Sequence, residues 1–176
     1  MGWIKADWPA PDWIHAGTTT RPGGISKPPY DEFNLAQHVG DDQKNVSYNR
    51  DLLRQQLELP VHPDWLKQEH DNRIINLQNA HGKESADGSY TKQANYVCAV
   101  LTADCLPLLL CDKQGTQIAT IHVGWRGLCK NIVARALELF SAERHQLMAW
   151  LGPCISATHY DVGLDVFEAC TKILED

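Results

Sequence analysis

Between Tyr96 and Val123 the sequence carries three short apolar runs close together: Tyr96 to Leu101, Pro107 to Cys111, and Gln117 to Val123, the last rich in Ile and Val. Runs of this length, bounded by turn residues, read as buried strands. Three in succession require a sheet, and a buried sheet needs a cover. Helical periodicity supplies one. Val46, Asn49, Arg50, Leu53 and Leu57 form a partly apolar stripe over 42–57, stopped at Leu59-Pro60, and Ile132, Val133, Ala136, Leu137 and Phe140 share one helical face over 131–140. Residues 62–77 read as strand, turn and strand, with Trp65, Leu66, Ile74, Ile75 and Leu77 as the apolar positions. Leu147 to Leu151 returns as a strand before Gly152-Pro153, and a last helix is expected over 163–175. Residues 17–31, dense in Gly, Pro and Thr, read as an ordered surface loop. Strands and helices alternating in this way imply an α+β, α/β-like fold, a sheet covered by helices with its sites at strand ends and loops.

At 176 residues, 43% of them hydrophobic, the chain is long enough for one core, so a single domain is expected. The formal charge of -6 leaves no broad cationic face for nucleic acid or anionic lipid, which favours a small-molecule partner. The six tryptophans read as core or rim packing, since no basic groove accompanies them. Met1 to Trp13 mixes charges with tryptophans and prolines and lacks the apolar core of a signal peptide. The longest apolar run, around Leu106 to Cys111, is far too short to span a bilayer. A cytoplasmic location without membrane contact is therefore expected, with reduced thiols at Cys98, Cys105, Cys111, Cys129, Cys154 and Cys170. No Cys-x-x-Cys pair supports a zinc ribbon or a thioredoxin-type site.

Three residues stand out by chemistry and position. Cys105 lies in a turn between two apolar runs, His122 lies near the end of a third, and His70 follows Trp65 to Glu69. A thiolate and two imidazoles suit zinc, and three protein ligands leave a fourth position for water, whose pKa the metal lowers to about 7. The plainer alternative makes Cys105 a small buried residue and leaves both histidines satisfied by backbone carbonyls. A third assignment makes Cys105 a nucleophile and His122 its base, with Asp104 or another carboxylate orienting the imidazole. Gly124-Trp125-Arg126-Gly127 joins a strand to a helix, and Arg126 offers a fork of donors suited to phosphate or carboxylate. A tight turn with a surface arginine explains that segment equally well. Thr20-Arg21-Pro22-Gly23-Gly24 is a weaker anion cradle, and its glycines read better as turn residues. His15, His38, His62, His81, His145 and His159 show no pairing at metal spacing and read mostly as surface residues. Gly152-Pro153-Cys154-Ile155 lacks the second Cys and the His-x-Glu element of a nucleobase zinc deaminase, which excludes that fold.

Taken together, Thr102-Ala103-Asp104-Cys105-Leu106-Pro107, His122-x-Gly124-Trp125-Arg126-Gly127 and Gly152-Pro153-Cys154-Ile155 resemble the polyphenol oxidase or laccase-domain family, now usually described as purine nucleoside phosphorylases. Thr20-Arg21-x-Gly23-Gly24-x-Ser26, Tyr30-Asp31, Asn34-Leu35, Val39-Gly40-Asp41, Asn49-Arg50 and Gln68-x-His70 extend the likeness over essentially the whole chain. The resemblance implies mixed β-sheets in a sandwich flanked by helices, similar to a toxin-like hydrolase fold with a Cys-His site. It implies zinc, with copper as the lesser alternative, on His70, Cys105 and His122. It also implies phosphorolysis of adenosine, inosine, guanosine or methylthioadenosine, with some adenosine deamination. A purine nucleoside and phosphate would be the partners of a monomeric enzyme. Cys105, His122 and Asp104 are then expected to be catalytic, with Asp104 as proton donor or relay, and Arg126, Arg21 and Asn34 to bind substrate. Two departures add carboxylates beside the expected metal: Asp71 stands where the family usually has glycine, and Glu69 where it usually has valine. Family members continue past the position of Asp176, so the sequence reads as lacking their C-terminal part.

Three rivals share these residues: a cysteine-dependent amidase acting on peptidoglycan precursors, a copper oxidase of phenols, and a non-enzymatic domain with structural zinc. Multi-copper oxidases gather His-x-His pairs, and this chain has none. A structural site would close with four protein ligands.

Overall fold

In the computed structural model, residues 1–80 and 84–171 are described. Seven strands and four α-helices are present among them: β1 (Trp3–Lys5), β2 (Gly17–Thr19), α1 (Gln43–Gln56), β3 (Ile74–Asn76), β4 (Gly88–Thr91), β5 (Leu106–Asp112), β6 (Ile118–Val123), α2 (Trp125–Cys129), α3 (Ile132–Glu138), β7 (Leu147–Leu151) and α4 (Leu164–Thr171). The fold is α+β. Five strands form one mixed sheet in the order β3-β4-β6-β5-β7, in which only the β3–β4 pair is parallel, and β1 and β2 form a separate antiparallel pair.

The centre of the sheet follows directly from residue type. From Pro107 to Asp112 every residue of β5 is buried, and so is β6 from Ala119 to Val123. Such strands are covered on both faces, which is why they read as continuous apolar runs rather than as alternating ones. On one face α3 delivers Ile132, Ala136 and, just beyond its end, Phe140 onto Leu108, Leu110, Ala119, Ile121 and Val123. A second cluster, Leu66, Ile75, Leu77 and Ala86, packs with Tyr96, Cys98 and Val100 beside the first.

The helix expected over 42–57 is α1, capped by the Asp42 carboxylate accepting from the Lys44 amide. Its buried residues are Val46, Asn49 and Leu53. Asn49 is fully buried, and all its polar capacity is used on the preceding loop. Its Nδ2 donates to Ser26 Oγ and to the Glu32 and Asn34 carbonyls, while its Oδ1 accepts from the Ile25 amide. Ser26 Oγ donates onward to Asp41 Oδ2, 2.7 Å away. Asn49 thus ties the turn-rich loop to α1, while the first residues of the expected loop, Gly17–Thr19, form β2.

Two expected strands are absent. Tyr96 to Leu101 is irregular, because the backbone of Leu101 pairs with the Gln68 side chain instead of a neighbouring strand: Leu101 N donates to Oε1 at 2.7 Å, and Nε2 donates to Leu101 O at 2.8 Å. The central sheet accordingly has two long buried strands, not three, and its third neighbour is β4, which the apolar pattern did not mark. Of 62–77, only β3 is a strand; Trp65 to Arg73 is held by side chains, by a bridge between Lys67 and Ser85, and by the Asp87 amide donating to the Arg73 carbonyl. The last expected helix appears as α4, and its continuation past Thr171 lies outside the described residues, as does His81.

Replacing Asn49 with alanine leaves the Asn34 carbonyl and the Ile25 amide without partners and takes one hydrogen bond each from the Glu32 carbonyl and the Ser26 hydroxyl. Urea unfolding should then record a loss of about 3 kcal/mol, and an unchanged midpoint would remove Asn49 from this role.

Candidate metal centre

Three segments distant in sequence converge at one end of the sheet. β5 and β6 pair with Leu106 opposite Val123, and continuing that register one step sets Cys105 opposite Gly124. On its other side β6 pairs with β4, Gly88 opposite Ile121, so the next step sets Asp87 opposite His122, whose amide donates to the Asp87 carbonyl at 2.7 Å. The third segment, around His70, reaches this point because Gln68 ties it to Leu101.

The result is a His-Cys-His cluster. One donor atom from each of His70, Cys105 and His122 lies within 4.8 Å of the other two. His122 is buried, Cys105 half-buried and His70 exposed, so the cluster opens to the surface on the His70 side. The two imidazoles meet edge to face, with centroids 4.7 Å apart. Gly124 forms the floor. A Cβ there would lie 2.9 Å from His70 Cδ2, 3.4 Å from Cys105 Sγ and 3.5 Å from His122 Cε1. The glycine of Gly-Trp-Arg-Gly therefore makes room for the three side chains, and its φ of -79° places no demand of its own for glycine.

One residue at this site carried no signal in the sequence. Asp87 is fully buried, and its carboxylate accepts from His122 Nδ1 at 2.8 Å and from the backbone amides of Glu69, His70 and Asp71 at 3.1, 2.9 and 2.8 Å. Burial pushes its pKa up, but the hydrogen bonds from His122 and the three amides outweigh burial and hold it below the ordinary value. His70 has the left-handed φ of 56°, which turns three successive amides toward a single anion. The carboxylate on His122 is thus Asp87 and not Asp104. Asp104 is exposed beside Cys105, and its carbonyl accepts from the Ile155 amide at 2.9 Å, which docks the Gly152-Pro153-Cys154 segment against the cysteine turn. Burial first, and the Asp104 carboxylate second, push the Cys105 thiol up to about 11.

The other expected site residues are less converged. The Arg126 guanidinium is exposed and lies 4.2 Å over the ring of Trp125. Arg21 is held by Asp31, through its carboxylate at 3.0 Å and its carbonyl at 2.9 Å. Asn34 donates to Asp41 Oδ2 and to the Ala36 carbonyl and accepts from the Ala36 amide, so its amide is engaged within its own loop. Of the two departures from the resemblance, Asp71 pairs with Lys130 at 2.8 Å and Glu69 with Lys67 at 2.6 Å, so each added carboxylate has a cation of its own. His15, His38, His62, His145 and His159 are all exposed.

An α+β protein with a surface-opening His-Cys-His cluster, backed by a buried carboxylate, is the class that this fold and site define. A family model described as multi-copper polyphenol oxidoreductase laccase matches residues 15–176, and the chain belongs to that family. It is 44% identical over 165 residues to a purine nucleoside phosphorylase of Haemophilus influenzae, covering 94% of this chain and 68% of the relative. It is 41% identical over 167 residues to purine nucleoside phosphorylase YfiH of Escherichia coli, covering 94% and 69% respectively. The solved structure of Neisseria meningitidis protein NMB0706 superposes with a TM-score of 0.92 at 42% identity, over 98% of this chain and 72% of that one. YlmD from Geobacillus stearothermophilus superposes with a TM-score of 0.80 at 29% identity, over 90% and 64%. Among the described residues no helix is long and apolar enough to cross a membrane.

Gly124→Ala tests the floor. Its backbone conformation suits alanine, so the fold should persist by circular dichroism while the methyl displaces His70. Any binding of added zinc to the cluster, read by competition with a chromophoric chelator, should weaken by about tenfold or more. Unaltered affinity would mean that the three side chains do not depend on that space.

Proposed function

We propose that this chain is a purine nucleoside phosphorylase whose reaction centre is the His70–Cys105–His122 cluster, with zinc as its metal. The observation that carries the reading is the convergence of one thiol and two imidazole donors within 4.8 Å, open on one side. The donor set fits: sulfur with two ring nitrogens is zinc chemistry, and three protein ligands leave a position for a reacting oxygen, as catalytic rather than structural zinc sites do. When bound, the metal would supply a Lewis acid that polarises an oxygen of the substrate. The names of the relatives, purine nucleoside phosphorylases at about two-fifths identity, support the same reaction.

The chain's own residues divide the remaining work. His122 presents Nε2 to the cluster because Nδ1 faces Asp87. Arg126, exposed and stacked on Trp125, is the cation assigned to phosphate. Arg21 joins it only by giving up an exposed pair with Asp31, worth little in water, and Asn34 contributes by holding that loop. Asp104, the exposed carboxylate beside Cys105, is assigned the proton that the departing purine takes up. Deamination of adenosine is assigned to the same cluster.

A second reading rests on one specific observation. Cys105, His122 and Asp87 also form a thiol, imidazole and carboxylate set, the arrangement of a cysteine amidase. Against it stands a thiol raised to about 11, the opposite of an activated nucleophile.

Metal analysis of the purified protein should find about one zinc per chain, with phosphate-dependent release of hypoxanthine from inosine. Cys105→Ala should lose both zinc and turnover. Retention of both would sink the reading, and a metal-free wild type whose amidase activity is blocked by a thiol alkylator would put the cysteine enzyme in its place.

A further inference from the structure

We propose that Asp87 is the positioning residue of the metal centre: one buried carboxylate holds both histidines in ligating geometry and balances the charge of the bound ion. The proposal rests on the metal reading above and concerns how the protein prepares that site before an ion arrives.

The argument begins with connectivity. Oδ1 of Asp87 lies 2.8 Å from His122 Nδ1 and 2.9 Å from the His70 amide, so a single oxygen touches both ligand residues. Oδ2 takes the amides on either side, Glu69 at 3.1 Å and Asp71 at 2.8 Å. His122 is thereby fixed at its ring: the proton sits on Nδ1, and the lone pair of Nε2 faces the cluster. His70 is fixed at its backbone, where the left-handed φ of 56° is held by three amides closing on one anion. Without the carboxylate those amides have no common acceptor, and nothing else described at His122 Nδ1 selects the tautomer.

Charge leads to the same assignment. Asp87 is fully buried, and among the described residues its carboxylate is paired with no lysine or arginine; the partners are N–H groups alone. Those N–H dipoles keep the carboxylate ionised without neutralising it, so its charge stays available to a cation held beside it. A dication with the Cys105 thiolate carries one net positive charge, which the Asp87 carboxylate offsets. The exposed carboxylates nearby, Asp71 and Glu69, already pair with Lys130 and Lys67 and are not needed for this balance.

The test titrates zinc into wild type, Asp87→Asn and Asp87→Glu against a chromophoric chelator, with circular dichroism recording the fold. Long-range proton–nitrogen correlation of the metal-free protein reads the His122 tautomer. Wild type should show a single Nδ1–H tautomer. Asp87→Asn should bind zinc about 10–100-fold more weakly with its fold retained, and Asp87→Glu, which restores the charge, should recover part of the loss. Wild-type zinc affinity in folded Asp87→Asn would overturn the proposal while leaving the metal reading intact. A wild type that binds no zinc would overturn both. If Asp87→Asn does not fold, the tautomer decides: an averaging or Nε2–H ring at His122 in wild type overturns the positioning role, and a fixed Nδ1–H ring supports it.

Discussion

A carboxylate buried where three chain segments meet governs this molecule. Asp87 immediately precedes β4, lies across from His122 on β6, and gathers the amides of the turn that carries His70. Each of those contacts joins residues far apart in sequence, so the charge can be satisfied only when the sheet register and the His70 turn are both correct. A slip of one residue between β4 and β6 would move Asp87 away from His122 and turn the alternate side chains to the opposite face. Register, turn and ligand geometry are thus set together, and the cost of burying the charge penalises every other arrangement.

What the sequence made legible was local. β5, β6, α1, α3 and β7 all appeared as apolar periodicity, because their burial is dictated by a core that any such residues would seek. Tyr96 to Leu101 looked the same and is not a strand. Its apolar side chains do reach a core, but Gln68 satisfies the Leu101 backbone, a pairing over thirty-three positions of chain that no window on the sequence contains. β4 failed in the opposite sense: Gly88, Ser89, Tyr90 and Thr91 are too polar to look buried, yet Gly88 and Ser89 lie against β6 with almost no exposure. Asp87 was missed along with that strand, since an aspartate gains meaning here only from the register it enters.

Residue chemistry and position drew attention to Cys105 and His122, and geometry explains why Gly124 stands among them. Gly124 faces Cys105 across the last step of the β5–β6 ladder, where any side chain would occupy the space that the two imidazoles and the sulfur share. The same residue lies between the end of β6 and the start of α2, as the N-cap of the helix, so ligand convergence and the change of element occur at one position. Arg126 follows two residues on. Its guanidinium is exposed and stacked on Trp125.

The metal and the nucleophile readings compete for the same atoms, and both need the lone pair on His122 that Asp87 secures. They differ in what must happen to the proton on Cys105. Burial, reinforced by the Asp104 carboxylate, keeps that proton in place well above neutral pH. A dication held by His70, Cys105 and His122 would stabilise the thiolate directly and would balance the charge of Asp87. An arrangement that raises a thiol while burying an anion beside it is poorly built to activate sulfur and well built to receive a cation. The placement of Cys105 beside two imidazoles and a buried carboxylate thus supports the proposed ligand role over the nucleophilic one.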